Sequence, residues 1–325
     1  MQIALVGLGR MGLNMARRLL RGGHRVAGYN RTYARTQELM AEGAAGAETL
    51  EALVAALTPP RVLWLMLPEG PPTEDTLQAL AALLTPGDLV IDGGNTFFRD
   101  DLRRAEALAA RRIHYCDAGV SGGLWGLEEG YCLMVGGAEE DFERLRPVLE
   151  TLAPPEGFLH CGPVGAGHYV KMIHNGIEYG MMEAYGEGME ILRASPYGET
   201  LDLRAVAHLW QRGSVVRSWL LGLLEEALQK DPDLAGVSGY VEDSGEGRWT
   251  VQQALELGVA ADGIAHALFK RFLSRQTDAF SNRVLAALRN EFGGHAVVPP
   301  GETPRAPGAG AGQVQPATPA DGARR

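Results

Sequence analysis

Residues 2–30 of this chain, QIALVGLGRMGLNMARRLLRGGHRVAGYN, decide its fold. The apolar run over 2–7 reads as a buried strand, and Gly7-x-Gly9-x-x-Gly12 follows it without a gap. MGLNMARRLLRGG has helical periodicity and a stop signal at Gly22-Gly23, and HRVAGYN reads as the next strand. A glycine-rich turn between a strand and a helix lets backbone approach a pyrophosphate, and the helix N-terminus offers it unpaired N–H groups. Gly7, Leu8, Gly9, Arg10, Met11 and Gly12 are therefore candidate cofactor residues.

Working outward, VLWLML (62–67), DLVIDGG (88–94) and IHYCDAG (113–119) read as further buried strands. Helical patterns around 73–84 and over 100–112 separate them, and 130–137 and 157–162 look like edge-ward strands. This alternation predicts a doubly wound, mostly parallel α/β sheet of the Rossmann type over residues 1–164. From residue 165 strand patterns stop and helical runs recur at 166–194, 202–228, 249–257 and 262–290, which predicts an all-α domain over 165–297. Residues 298–325 are rich in Pro, Gly, Ala and Thr, so a disordered tail is expected there.

Hydrophobic residues make up 46% of the 325-residue chain and charged residues 22%, an ordinary globular balance with room for two cores. No apolar run reaches the length of a membrane span, and Met1 leads directly into a strand without a signal-peptide pattern. Cys116, Cys132 and Cys161 are too few and too scattered for a disulfide framework or a zinc motif, so a cytoplasmic protein without a metal is expected. A net charge of −10 argues against nucleic acid and anionic membranes as partners.

The end of the second strand selects the dinucleotide. An acidic residue there usually holds the ribose hydroxyls of NAD, whereas this chain has Asn30-Arg31-Thr32. Asn30 does not repel a 2′-phosphate, Arg31 can pair with one and Thr32 can donate to it, which favours NADP and leaves NAD as the second choice. Asn95, at the end of a strand, is a candidate for both cofactor and substrate. Ser121-Gly122-Gly123 offers a hydroxyl and exposed N–H groups to an anionic or polyhydroxyl ligand.

In GAGHYVKMIHNGIEYG (165–180), Lys171, His174, Asn175 and Glu178 stand at offsets of zero, three, four and seven. Seven steps of about 100° return to within about 20° of the start, so all four face one side of a helix. Lys171 and Glu178 lie about 10 Å apart along it, a span suited to a base and an acid serving different carbons of one sugar-sized substrate. Gly165, Gly167, Gly176, Gly180 and Gly186 make a poor surface helix and predict close approach by backbone or ligand.

These segments, with IDGGNTFFRD (91–100), GVSGG (119–123) and LRNEFGGHAV (288–297), resemble the 6-phosphogluconate dehydrogenases in order and spacing from Met1 to about Val297. The chain is similar to the short form of that family. The resemblance implies oxidative decarboxylation of 6-phosphogluconate in the pentose phosphate route, with Lys171 as general base and Glu178 as general acid. Asn95, Ser121, Gly122, Gly123, His174, Asn175 and Tyr179 would contact the substrate. Arg248 stands where the long form has a phosphate-binding lysine, and Arg271 matches a family arginine for the phosphate. Arg289 and His295 match a pair lent to the neighbouring subunit, so a homodimer or homotetramer is implied. Leu67-Pro68-Glu69 lacks a lysine that the long form has in its cofactor loop. Two other readings differ in class. A β-hydroxyacid dehydrogenase acting on an acid such as 3-hydroxyisobutyrate would not need the arginines, and a catalytically silent NADP-binding module would not need Lys171.

Overall fold

The computed structural model describes residues 1–299. Its eight strands are β1 (Gln2–Val6), β2 (Arg25–Tyr29), β3 (Ala45–Ala47), β4 (Val62–Leu65), β5 (Leu89–Asp92), β6 (His114–Ser121), β7 (Cys132–Gly136) and β8 (Phe158–Gly162). They form one sheet in the order β3-β2-β1-β4-β5-β6-β7-β8, and only β6 and β7 run antiparallel. Chain order reverses between β1 and β4, so the loops after those strands open a crevice at the carboxyl edge.

Side chains alternate across the sheet as its two-residue period requires. Ile3, Leu5, Trp64 and Ile91 join one core, while Ala4, Val6, Leu63, Leu65 and Val90 join the other. The first face is covered by α1 (Arg10–Arg21) through Leu13, Ala16 and Leu19, and by α7 (Glu139–Leu152) through Phe142, Leu145 and Leu149. The second is covered by α3 (Leu50–Ala55), α4 (Pro71–Leu83) and α5 (Phe98–Ala109), which bury Leu53, Leu77, Leu80 and Leu108. Each such leucine contributes about 1.5–3 kcal/mol by leaving water. Two short elements complete this half, α2 (Tyr33–Ala41) and α6 (Gly126–Glu129).

The helical half begins with α8 (Ala166–Ala194), which at about 1.5 Å per residue runs for about 43 Å. It continues with α9 (Leu203–Trp210), α10 (Trp219–Lys230), α11 (Glu246–Leu257) and α12 (Asp262–Leu273). The helical run expected over 202–228 is two helices: Gly213, with a φ of +77°, interrupts it, and the Ser218 side chain caps α10 by accepting from the Leu221 N–H. The run expected over 262–290 is likewise broken, and its second part is α13 (Phe280–Gly293).

Residues Met1–Phe272 form one compact unit and a second begins at Leu273. In the second, Arg283 pairs with Asp278 at 3.3 Å, α13 ends on Gly294 in the left-handed conformation, and Asn290 Nδ2 donates to the His295 carbonyl at 2.9 Å. No residue of α13 is buried. Of the tail expected over 298–325, positions 300–325 lie outside the described residues.

Candidate active site

In the glycine turn between β1 and α1, two of the three glycines have a steric reason. Gly7 has a φ of +94°, and a Cβ there would overlap the Met66 carbonyl. A Cβ on Gly12 would overlap the carbonyl of Gly7, so α1 could not come so close to β1. Gly9 faces open space and caps an α1 whose first turn has no acidic side chain. An open, electropositive helix start beside a crevice fits a pyrophosphate. The crevice holds about 660 Å³ and includes Gly7, Gly9, Met11, Gly12, Asn30, Arg31, Thr32, Leu67 and Asn95 in its wall.

Two candidates stand apart from that wall. The Leu8 side chain is fully buried in the sheet core, and its N–H donates to Asn30 Oδ1 at 2.9 Å. Arg10 is exposed on the first residue of α1 and does not line the crevice. Asn30 braces the turn through that bond and through Nδ2, which donates to the Thr32 carbonyl.

The placement of α8 is set by carboxylates of β6 and α5. Asp117 on β6 accepts from the N–H groups of Gly165 and His168, at 2.6 and 2.8 Å, and so caps the helix from below. Asp101 on α5 accepts from His168 Nδ1 at 2.8 Å and from the Tyr115 hydroxyl. Burial pushes the His168 imidazole down, but Asp101, with Asp117 and Asp92 behind it, more than offsets this and holds it at about 9. Burial raises Asp101 to about 6. Arg104 pairs with Asp92 and Glu74 beside this cluster.

One turn along α8 from His168, the four expected residues share a cavity of about 880 Å³. Lys171 and Asn175 are buried in its wall, while His174 and Glu178 are half-exposed. Burial pushes the Lys171 ammonium down, against the opposing pull of Glu178, Glu246 and Cys132. Asn95, Ser121, Gly122 and Gly123 complete the wall opposite α8. Met11, Asn95 and Val120 belong to this cavity and to the dinucleotide crevice alike, so the two are continuous.

The glycines of α8 divide. Cβ atoms on Gly167 and Gly176 would meet Gly136 and Thr250 at 2.7 Å, as the expected close approach requires. Gly180 and Gly186 have open space around them, so crowding does not explain them.

Tyr179, Arg248 and Arg271 gather away from the cavity wall, around the segment that precedes α11. The Arg271 guanidinium lies over the Tyr179 ring at 3.4 Å and donates to the Glu242 carbonyl. Arg248 pairs with Asp243 at 2.6 Å, and the Tyr179 hydroxyl accepts from the Ser244 N–H. Ser244 itself lines the cavity, together with Trp219 and Glu246, none of which the sequence reading singled out. Arg289 and His295 belong to the second unit.

Among the described residues, His and carboxylate groups lie near one another at three places, Asp92/Asp101/His168, His114/Glu140/Asp141 and Glu183/Glu187/His266. Hydrogen bonds or ion pairs engage residues in each, among them His168–Asp101, His114–Asp141 and His266–Glu187.

A glycine turn at the switch point of a parallel sheet, open to a cavity with a buried lysine and a carboxyl group, defines a dinucleotide-dependent oxidoreductase. The family model for the NAD binding domain of 6-phosphogluconate dehydrogenase matches residues 2–165, and the model for the C-terminal domain of 6-phosphogluconate dehydrogenase matches 167–295. The chain belongs to the 6-phosphogluconate dehydrogenase family. It is 45% identical to YqeC of Bacillus subtilis, a protein named for this family, over 91% of this chain and 99% of that one. It is 44% identical to the NAD(+)-dependent, decarboxylating 6-phosphogluconate dehydrogenase of Haloferax volcanii, over 91% and 98% of the two chains. The solved 6-phosphogluconate dehydrogenase of Plasmodium falciparum superposes with a TM-score of 0.78 at 29% identity, covering 93% of this chain and 67% of that one. Among the described residues, no helix is long and apolar enough to cross a membrane.

Proposed function

We propose that this chain oxidises and decarboxylates 6-phosphogluconate to ribulose 5-phosphate and carbon dioxide, with residues 1–164 holding the dinucleotide and 165–297 holding the substrate. The observation that carries this is the continuity of the two cavities at Met11, Asn95 and Val120, with Lys171 and Glu178 both in the second.

A dinucleotide held by the Gly7–Gly12 turn, Arg31 and Thr32 would supply the hydride acceptor for carbon 3 of the substrate. Neutral Lys171 Nζ takes the proton of the 3-hydroxyl as that hydride leaves, and burial favours the neutral amine it needs. The product is a β-keto acid, whose carbonyl receives the electron pair when the bond to the carboxylate breaks. Lys171, now an ammonium, stabilises the developing enolate oxygen. Glu178, one turn pair along the same face, then protonates carbon 1 of the enediol. The Ser121-Gly122-Gly123 loop, His174, Asn175 and Tyr179 bind the hydroxyls and carboxylate. Arg248 and Arg271 take the phosphate, with Arg289 and His295 supplied by a neighbouring subunit.

NADP is the preferred dinucleotide in this reading, because Arg31 and Thr32 lie in the crevice wall and no acidic residue ends β2. NAD is the second reading, favoured by the name of the Haloferax relative. Steady-state kinetics with 6-phosphogluconate and each dinucleotide, with 3-hydroxyisobutyrate alongside, tests both. Turnover of 3-hydroxyisobutyrate alone, or reduced dinucleotide without an equal yield of carbon dioxide, would sink the proposal.

A further inference from the structure

Glu246 opens α11 and comes to within 2.7 Å of α8, where its Oε1 accepts from Asn175 Nδ2. It is only 2% exposed, and its second oxygen, Oε2, has no hydrogen-bond partner among the described residues. Glu246 also lines the cavity that holds Lys171, His174 and Glu178. A buried carboxylate at such a place is costly unless it does something specific.

The chemistry of the contact fixes more than one residue. A carboxylate only accepts, so the atom of Asn175 that faces it must be the amide nitrogen. The amide oxygen is then turned to His174, whose Nδ1 lies 2.9 Å from it. An amide oxygen also only accepts, so neutral His174 must carry its proton on Nδ1. Its Nε2 is left with a lone pair. The relay therefore runs from α11 through Asn175 to His174, and its last atom is an acceptor on a cavity residue.

We propose that Glu246 is a positioning residue that sets the Asn175 amide and the Nδ1–H tautomer of His174, so that His174 Nε2 accepts a hydrogen bond from a substrate hydroxyl. This rests on the reading of His174 as a substrate contact. It gives the site a preference for ligands that offer hydroxyl donors at that point, as a polyhydroxy acid does. The same analogue with a keto group or ether oxygen there would leave two acceptors facing each other. Glu178 Oε2 approaches His174 Nδ1 to 4.0 Å, beyond hydrogen-bonding reach, so Asn175 is the nearer partner. Lys171 and Glu178 line the same cavity, and burial, followed by the charge of Glu246, raises the Glu69 carboxyl in the loop after β4.

The test is 15N NMR on protein labelled at histidine, with the His174 signal assigned by its loss in His174→Gln. Wild type should show a protonated Nδ1 and a bare Nε2 at a pH where the ring is neutral. A protonated Nε2 there would overturn the proposal without touching the reading of the reaction. Glu246→Leu should release the tautomer and raise the 6-phosphogluconate KM about tenfold, the scale of one lost hydrogen bond, with a smaller change in kcat. Glu246→Gln keeps an oxygen for Asn175 and should recover part of both. If the leucine variant does not fold, the wild-type spectrum and the glutamine variant still decide. A His174→Gln enzyme with unchanged KM would instead refute the reading of His174 as a substrate contact.

Discussion

Gly119 on β6 packs so closely under α8 that a Cβ on it would overlap the Cβ and Cγ of Lys171. The obstacle is the root of the lysine side chain with the Gly167 carbonyl behind it, so a side-chain rotation cannot relieve it. Gly119→Ala should therefore lift this part of α8 and displace Lys171 from the cavity. A shift of about 1 Å in a reacting group costs about 100-fold in rate, and overpacking of this kind costs about 1–3 kcal/mol of stability. Steady-state turnover beside a thermal melt checks this; a variant with wild-type kcat would mean that Lys171 tolerates displacement.

If Lys171 is the proposed base, Lys171→Met should lower kcat by about 10²–10⁴-fold while dinucleotide binding persists, because such a base serves the substrate alone. Burial lowers the Lys171 pKa from 10.5, so a native protonated lysine is disfavoured relative to the unfolded chain. Its cost to stability is full below the folded pKa and fades as pH rises toward 10.5. The methionine variant should accordingly melt higher than wild type near neutral pH. If the neutral amine is the active form, as proposed, the wild-type kcat/KM should rise with pH and level off before 10.5.

The His168–Asp101 pair predicts a loss of stability on the alkaline side. Its folded pKa of about 9 lies above the ordinary 6.5, so the stability it contributes is complete below 6.5 and is lost as pH rises through about 9. Urea denaturation across that range should show the decline, and His168→Gln should flatten it. An equal slope in the variant would mean that other groups carry the dependence.

Much of this arrangement is legible in the chain, for physical reasons that vary by element. Strands 2–7 and 62–67 and helix α1 announce themselves because a continuous apolar run or a 3.6-residue period continues long enough to count. The three-residue β3 and the short α2 and α3 carry too little pattern, and sheet pairing rather than propensity holds Ala45–Ala47 in place. The site face of α8 could be read from offsets within one helix. Glu246 could not, since it meets Asn175 across 71 residues of chain and its local sequence says only that a helix begins. Gly180 and Gly186 were expected to be crowded like Gly176, and only the tertiary neighbours distinguish them.

Arg31 lies in the crevice wall next to Thr32, past the end of β2. If it holds a 2′-phosphate, Arg31→Ala should raise the NADP KM by about 10–100-fold, the equivalent of about 1.5–3 kcal/mol for a charge-assisted contact. The NAD KM should move far less. Equal effects on both dinucleotides would show that Arg31 does not read the phosphate.

The proposed sharing of sites between subunits is tested at α13. Phe280, Leu285, Leu288 and Phe292 are 73%, 60%, 54% and 77% exposed on this one helix, which buries nothing of its own. A helix with that much bare apolar surface calls for a partner surface, and the family resemblance implies that Arg289 and His295 serve a neighbour. If the proposed oligomer forms, Lys171→Ala and Arg289→Ala variants should each be nearly inactive by themselves. Dissociating the two and reassociating them together gives hybrids in which one site combines an intact Lys171 from one subunit with an intact Arg289 from the other. Activity should then return to a fraction of wild type in proportion to the hybrid, measured after separating the species by a charge tag. Hybrids that form and stay inactive would place both residues in the site of a single subunit.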